Sequence, residues 1–266
     1  MAFQQGLSGL NAASKSLDVI GNNIANANTT GFKSSRAEFA DMVASAMGAA
    51  GGGDDGIGVY VVDVAQQFAQ GNLNITNNKL DLAIEGNGFF RIKLPSGVDA
   101  FTRAGNFQVD KSGNLVTNEG ASVLDDTSPS GLPISLLYGR VTSTTQIMDI
   151  NIGPDGVITI YDAAGLIVLP QKIGLANFPN LQGLKPIGGN NWVETDASGT
   201  ILSGLAKTGT PSTSGFGVLK SGALEESNVD LTGDLVNLMT AQRYYQANAQ
   251  TIKTQDQVMS TLVNLR

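Results

Sequence analysis

Neither cysteine nor histidine occurs among the 266 residues. Their absence removes disulfides, thiol nucleophiles, the usual zinc ligands and the side chain that most often acts as general base near neutral pH. Carboxylates alone can still catalyse, but most enzyme classes are excluded, and neither an enzymatic activity nor a cofactor or metal is expected. Charge is also sparse: 15% of residues are Asp, Glu, Lys or Arg, and the net charge is −7. An acidic chain without a basic run has nothing with which to neutralise phosphates, so nucleic acid is not an expected partner. No run of about 18 apolar residues occurs, so no membrane insertion is expected. The opening MAFQQGLSGLNAAS has no basic n-region and no unbroken apolar stretch, unlike a cleaved signal peptide. Aromatic residues make up only 6% of the chain, which disfavours a sugar-binding platform.

What is present falls into two patterns. Phe3, Gly6, Leu10, Ala13, Leu17, Ile20, Ile24 and Ala27 alternate in steps of three and four, the spacing of a heptad seam. Thr29, Thr30 and Gly31 then supply a stop, Gly31 being suited to a left-handed cap position. The carboxyl-terminal region repeats the rule with Leu231, Leu235, Leu238, Gln242, Tyr245, Ala249, Ile252, Asp256, Met259 and Val263, broken only at Gln242 and Asp256. Ser227, Asn228 and Asp230 are the candidate caps. A helix from about 230 to 263 is roughly 50 Å long at 1.5 Å per residue.

Between these ends, runs rich in β-branched and aromatic residues alternate with turn clusters. GVYVVDV, GFFRIKL, NFQV, GVITIY and LIVLPQKIGLANF read as strands, and PSG (95–97), DKSGN (110–114), GPDG (153–156) and DAAG (162–165) as turns. The division expected is a helical part from 1–46 and 222–266, a flexible glycine-rich linker at 47–58, and an all-β domain at 59–221. Gly51, Gly52 and Gly53 are hinge candidates, because consecutive glycines resist a fixed geometry. The fold class expected is α+β, with long terminal helices paired as a coiled coil and bracketing the β domain. The alternative is that each helix packs on the β domain, but a helix of about 50 Å outruns a domain of that size.

The helices also lack the charged flanks of a self-sufficient coil. Residues 1–32 hold two charges, Lys15 and Asp18, and residues 228–266 hold nine Asn or Gln against six charged residues. Val236, Val258, Leu262 and Leu265 are apolar off the seam. Such helices suit enclosure by other protein, and a poorly optimised surface coil is the alternative. The self-assembly seam expected comprises Leu10, Leu17, Ile20, Ile24, Leu231, Leu235, Leu238, Tyr245, Ile252, Met259 and Val263. Four asparagines, Asn22, Asn23, Asn26 and Asn28, interrupt LDVIGNNIANANTTGFKSSR (17–36), each costing a helix roughly half a kcal/mol against alanine. Their amides donate and accept at once, which makes them candidates for contacts between subunits; a helix-ending signal is the alternative.

No motif rises to an active site. IEGNGFFR (84–91) lacks the third glycine of a dinucleotide loop and reads as a strand-to-turn glycine pair. DKSGN fails as a calcium loop because Leu115 stands where glycine is needed. Asp54/Asp55, Asp125/Asp126 and Glu225/Glu226 read as solvated turns, and Trp192 as core.

Three blocks carry a family resemblance. LDVIGNNIANANTTGFK (17–33) resembles the amino-terminal signature of flagellar rod and hook axial proteins. DLAIEGNGFFRI (81–92) resembles their central segment, and GALEESNVDLTGDLVNLMTAQRYYQANAQTIKTQDQVMSTLVNLR (222–266) their carboxyl-terminal segment. The opening MAFQQGLSGLNAA and the ending AQTIKTQDQVMSTLVNLR look most like the hook branch, with the distal rod branch as the alternative. The chain is too short for the large extra outer domain of many hook proteins, and its length matches the distal rod branch and the shorter hooks. The resemblance implies a bacterial flagellar structural protein, exported without a cleaved signal through the flagellar type III apparatus. It implies a helical homopolymer whose helices form the inner core and whose β domain lies outside. In the hook this tube is a flexible universal joint that passes motor torque to the filament; in the rod it is a stiff drive shaft. The partners implied are further copies of the chain, distal rod, hook cap and hook–filament junction proteins, and the export apparatus. The localisation implied is the extracellular hook or the basal body.

Overall fold

The computed structural model describes residues 2–43, 56–125, 131–136, 147–162, 165–201 and 216–264. The amino-terminal stripe folds as α1 (Ala2–Ala25) and the carboxyl-terminal repeat as α2 (Leu231–Asn264). Of the three candidate caps for α2, Asp230 takes the role. Its Oδ1 accepts from the backbone N–H groups of Thr232 at 3.1 Å and Gly233 at 3.2 Å, two donors that the first helical turn leaves without partners. The chain is α+β: two terminal helices with a middle that is mostly β. It divides into two compact units, the first Met1–Ala27, Ser34–Gln67 and Val229–Arg266, the second Asn28–Lys33 and Phe68–Asn228.

In the first unit, the helical core expected through residue 46 stops at Ala25. Residues 35–43 form strand β1 (Ser35–Val43), which pairs antiparallel with β2 (Gly56–Gln66). The register runs from Ser35 opposite Gln66 to Val43 opposite Gly56, with irregularities after Glu38 and Met42. The Val-rich run of β2 supplies a non-local ladder, and such pairing overrides local helical preference. Gly56 and Gly58, read as linker, open β2 instead. Residues 47–55 of that linker, including Gly51, Gly52 and Gly53, lie outside the described residues. A two-stranded ribbon is marginal alone, and α1 supports this one. Gln5 donates its amide to the Gly56 carbonyl, and the Val59 N–H donates to Ser8 Oγ at 3.3 Å.

The second unit, whose longer segment begins at Phe68 rather than 59, holds the remaining strands in chain order. They are β3 (Leu73–Ile75), β4 (Leu82–Glu85), β5 (Phe89–Lys93), β6 (Asp99–Thr102), β7 (Phe107–Val109), β8 (Leu115–Thr117) and β9 (Ser122–Val123). Next come β10 (Ile147–Ile152), β11 (Val157–Asp162), β12 (Gly165–Lys172), β13 (Leu175–Ala176), β14 (Lys185–Gly188) and β15 (Asn191–Val193). The last two are β16 (Val218–Ser221) and β17 (Ala223–Glu225). The main sheet runs β14-β15-β6-β5-β9-β8-β7, with β13 on β5; β10-β11-β12 form a meander. Two pairs join distant parts of the chain: β16 with β4, and β17 with β3.

Leu82, Ile84, Phe90, Ile92, Val123, Ile134, Ile158 and Leu175 build one buried cluster, and Phe89, Phe101, Phe178 and Trp192 a second. Trp192 is core, as its sequence context suggests, and stands edge-on to Phe89 at 5.7 Å. Gly86 and Gly88 hold the positive φ angles (110° and 129°) of the turn from β4 to β5. DKSGN closes the β7–β8 hairpin, where Asp110 Oδ1 accepts from the N–H groups of Ser112 at 2.7 Å and Asn114 at 2.9 Å.

Candidate assembly surface

The two terminal helices pack on each other within the first unit, and Gly6 and Gly9 of α1 stand close against α2. A Cβ placed on Gly6 stands 3.2 Å from Ile252 Cγ1, and one on Gly9 stands 2.8 Å from Asn248 Nδ2. Gly6 and Ile252 both belong to the stripes read from the sequence, so part of each stripe does meet the other. Ala13 and Val19 are buried.

The remaining seam candidates divide. Leu10, Leu17, Ile20, Ile24, Leu238 and Ile252 are half-buried. Leu231, Leu235, Tyr245, Met259 and Val263 are exposed, Val263 to 72%. Among the described residues of α2 only Ala241 is buried. Val236, Met239, Tyr244, Val258 and Leu262 are exposed as well, and a shallow groove runs along Thr254, Gln257, Val258, Thr261 and Leu262. A long helix that shows this much apolar surface marks an interaction surface. α1 adds Phe3 and Leu7, and the ribbon adds Phe39, Met42, Tyr60 and Val62.

The four asparagines separate into different roles. Asn23 is buried, with its side-chain amide donating to the Ser35 carbonyl and accepting from the Ser35 N–H, both at 2.9 Å. It behaves as one more rung of the β1 ladder, turned to meet a helix. Asn26 donates its side-chain amide to the Asn22 carbonyl at 2.9 Å, and its backbone N–H reaches the carbonyls of Asn22 and Asn23, both at 3.1 Å. Those contacts close the last turn of α1. Asn22 and Asn28 are exposed.

The second unit contains a charged cluster that the sequence reading missed. Glu225, read as part of a solvated turn, is fully buried, and so is Lys33. Lys33 Nζ donates to Glu225 Oε1 at 2.6 Å and to the Ala69 carbonyl at 2.8 Å. Arg103 Nη1 donates to Glu225 Oε2 at 3.2 Å, and its guanidinium lies 5.2 Å over the Phe89 ring. Gly71 N–H donates to Glu225 Oε1 at 3.0 Å, and Gly31 N–H to the Glu225 carbonyl at 2.8 Å. Gly31 has φ +70°, and a Cβ there would stand 2.6 Å from the Ala104 nitrogen. It is therefore a close-approach glycine rather than the cap of α1. Burial pushes the Lys33 ammonium below its ordinary range, against the opposing pull of Glu225, and burial lowers Arg103 in the same sense. Asp125 is likewise fully buried rather than solvated; its Oδ1 accepts from the Leu132 N–H at 2.6 Å. Segregated lysine and glutamate in one polar sequence segment each give no local signal of burial, because the neutralising partner lies far along the chain.

Three family models match in order. Residues 3–33 match the flagella basal body rod protein model, residues 83–160 the flagellar hook protein FlgE/F/G D1 domain, and residues 220–265 the flagellar basal body rod FlgEFG protein C-terminal model. The chain is 40% identical over 275 residues to the flagellar basal-body rod protein FlgG of Bacillus subtilis, covering 100% of this chain and 98% of that one. It is 36% identical over 270 residues to FlgG of Buchnera aphidicola from Schizaphis graminum, covering 97% and 96%. It is 31% identical over 414 residues to the flagellar hook protein FlgE of Escherichia coli, covering 100% of both.

Proposed function

The chain belongs to the family of flagellar rod and hook axial proteins, structural components of the flagellum, and from that premise we propose that it is a rod subunit rather than a hook subunit. The observation that carries this reading is length. The alignment with the Bacillus rod protein spans 275 positions with nearly complete coverage of both chains, whereas the Escherichia hook protein requires 414. This reverses the order expected from the opening and closing segments, which favour the hook. Those two segments remain the specific support for a short hook protein as the second reading.

On the proposed reading, copies of the chain form a helical tube. Pairing of α1 with α2 extends into a coiled coil, and the apolar residues left exposed on α2 are covered by neighbouring copies. Burial of such surface contributes roughly 25 cal/mol per Å². The tube's further partners are the axial proteins above and below it, and the chain reaches its place through the flagellar export apparatus. Asn22 and Asn28 remain candidates for polar contacts between copies. The glycines at 51–53 remain hinge candidates for the hook reading, in which subunits must slide past one another.

The deciding experiment is imaging of the tube formed in cells by a tagged, functional copy. A straight shaft within the envelope supports the rod reading; a curved tube outside the outer surface supports the hook. In parallel, Leu235→Ser with Leu262→Ser is expected to abolish polymer while leaving the monomer's melting temperature within a few degrees. Full polymer yield from that variant would remove α2 from the assembly surface.

A further inference from the structure

Lys33, Arg103 and Glu225 arrive in the chain in a fixed order, cations first. Lys33 and Arg103 are 1% and 4% exposed, and among the described ion pairs both find their counter-charge in Glu225 alone. The neutral partners of the cluster also precede it. Ala69 accepts from Lys33, Gly86 accepts from Arg103 Nη2 at 3.0 Å, and Gly71 donates to the carboxylate. Only the acid comes late, 122 residues after Arg103 and 192 after Lys33. The strands beside it come late too. β16 is the ladder partner of β4, whose Leu82, Ala83 and Ile84 are wholly buried, and β17 is the partner of β3.

We propose that Glu225 is a completion latch: the β unit closes around Lys33 and Arg103 only when the chain through residue 225 is present to neutralise them. Synthesis delivers the amino terminus first. Until Glu225 arrives, closing the unit means burying two cations without an anion, which is strongly unfavourable. Glu225 also ties the segment that follows α1 to the segment that precedes α2, its carboxylate through the Lys33 ammonium and its backbone carbonyl through the Gly31 N–H. A chain lacking this residue therefore stays open at β3 and β4, and the incomplete product does not settle into a closed β unit.

The test is refolding of full-length protein followed by the fluorescence of Trp192, the only tryptophan. In Glu225→Gln, refolding slows by about fiftyfold or more while unfolding changes by less than about threefold, because the latch forms in the rate-limiting step. The triple variant Lys33→Met/Arg103→Met/Glu225→Gln refolds near the wild-type rate, because no charge then awaits a partner. Unchanged refolding of Glu225→Gln with faster unfolding overturns the proposal, since the unit would then close before the carboxylate docks. If Glu225→Gln does not refold at all, the triple variant decides. Recovered Trp192 burial supports the latch, and continued failure to fold overturns it.

Discussion

Lys33 Nζ lies 2.6 Å from a Glu225 carboxylate oxygen across 192 residues of sequence, with neither side chain exposed. This contact joins the two points where the chain enters and leaves the β unit. Glu225 also holds Arg103, so the carboxylate balances one of two buried positive charges and orients both.

Replacing Glu225 with glutamine is therefore expected to lower the stability of the β unit by about 3–5 kcal/mol, the cost of leaving buried charges unpaired. The urea midpoint read from Trp192 fluorescence checks this. Changing Lys33 to methionine in the same chain restores part of the loss, and a fully additive double variant would argue that the two residues act independently.

Stability should also depend on pH through Lys33. Burial lowers its pKa from 10.5, so between the lowered value and 10.5 the folded protein holds fewer protons there than the unfolded chain. This contribution is fully present above 10.5 and is lost as pH falls through the folded value. Urea midpoints measured from pH 8 upward are expected to contain a rising component that Lys33→Met removes. An identical slope in the variant would assign the dependence to other groups.

The asparagines of the first unit predict opposite outcomes for neighbours. Asn23→Ala removes the side-chain partner of both backbone groups of Ser35 and is expected to cost about 1–3 kcal/mol. Asn22→Ala removes an exposed residue of modest helix propensity and should gain roughly half a kcal/mol. Thermal unfolding followed by far-ultraviolet circular dichroism separates the two.

The glycines of α1 differ in the same way. Nothing lies within 4 Å of a Cβ at Gly21, so Gly21→Ala should stabilise the helix by about 1 kcal/mol. Gly9 meets Asn248 at 2.8 Å, so Gly9→Leu pushes α1 from α2 and is expected to lose about 1–3 kcal/mol. Equal melting temperatures for the two variants would mean that α1 does not depend on close contact with α2.

The sequence by itself determined the α+β class, both terminal helices, the cap region of α2, the β middle and the family. Each is written in local periodicity, in turn chemistry or in contiguous motifs. Residues 35–43 were misread as part of a helical core because their strand identity comes from β2, across residues that separate the two. Asn23 looked like a surface contact because its partner, Ser35, is brought to it only when the ribbon folds against α1. Glu225 looked solvated for the same reason: burial of a charge is decided by what faces it. Tertiary structure alone placed Lys33 and Arg103 against that carboxylate, since a compensating charge acts through space at a few ångströms and leaves no trace in the residues beside it.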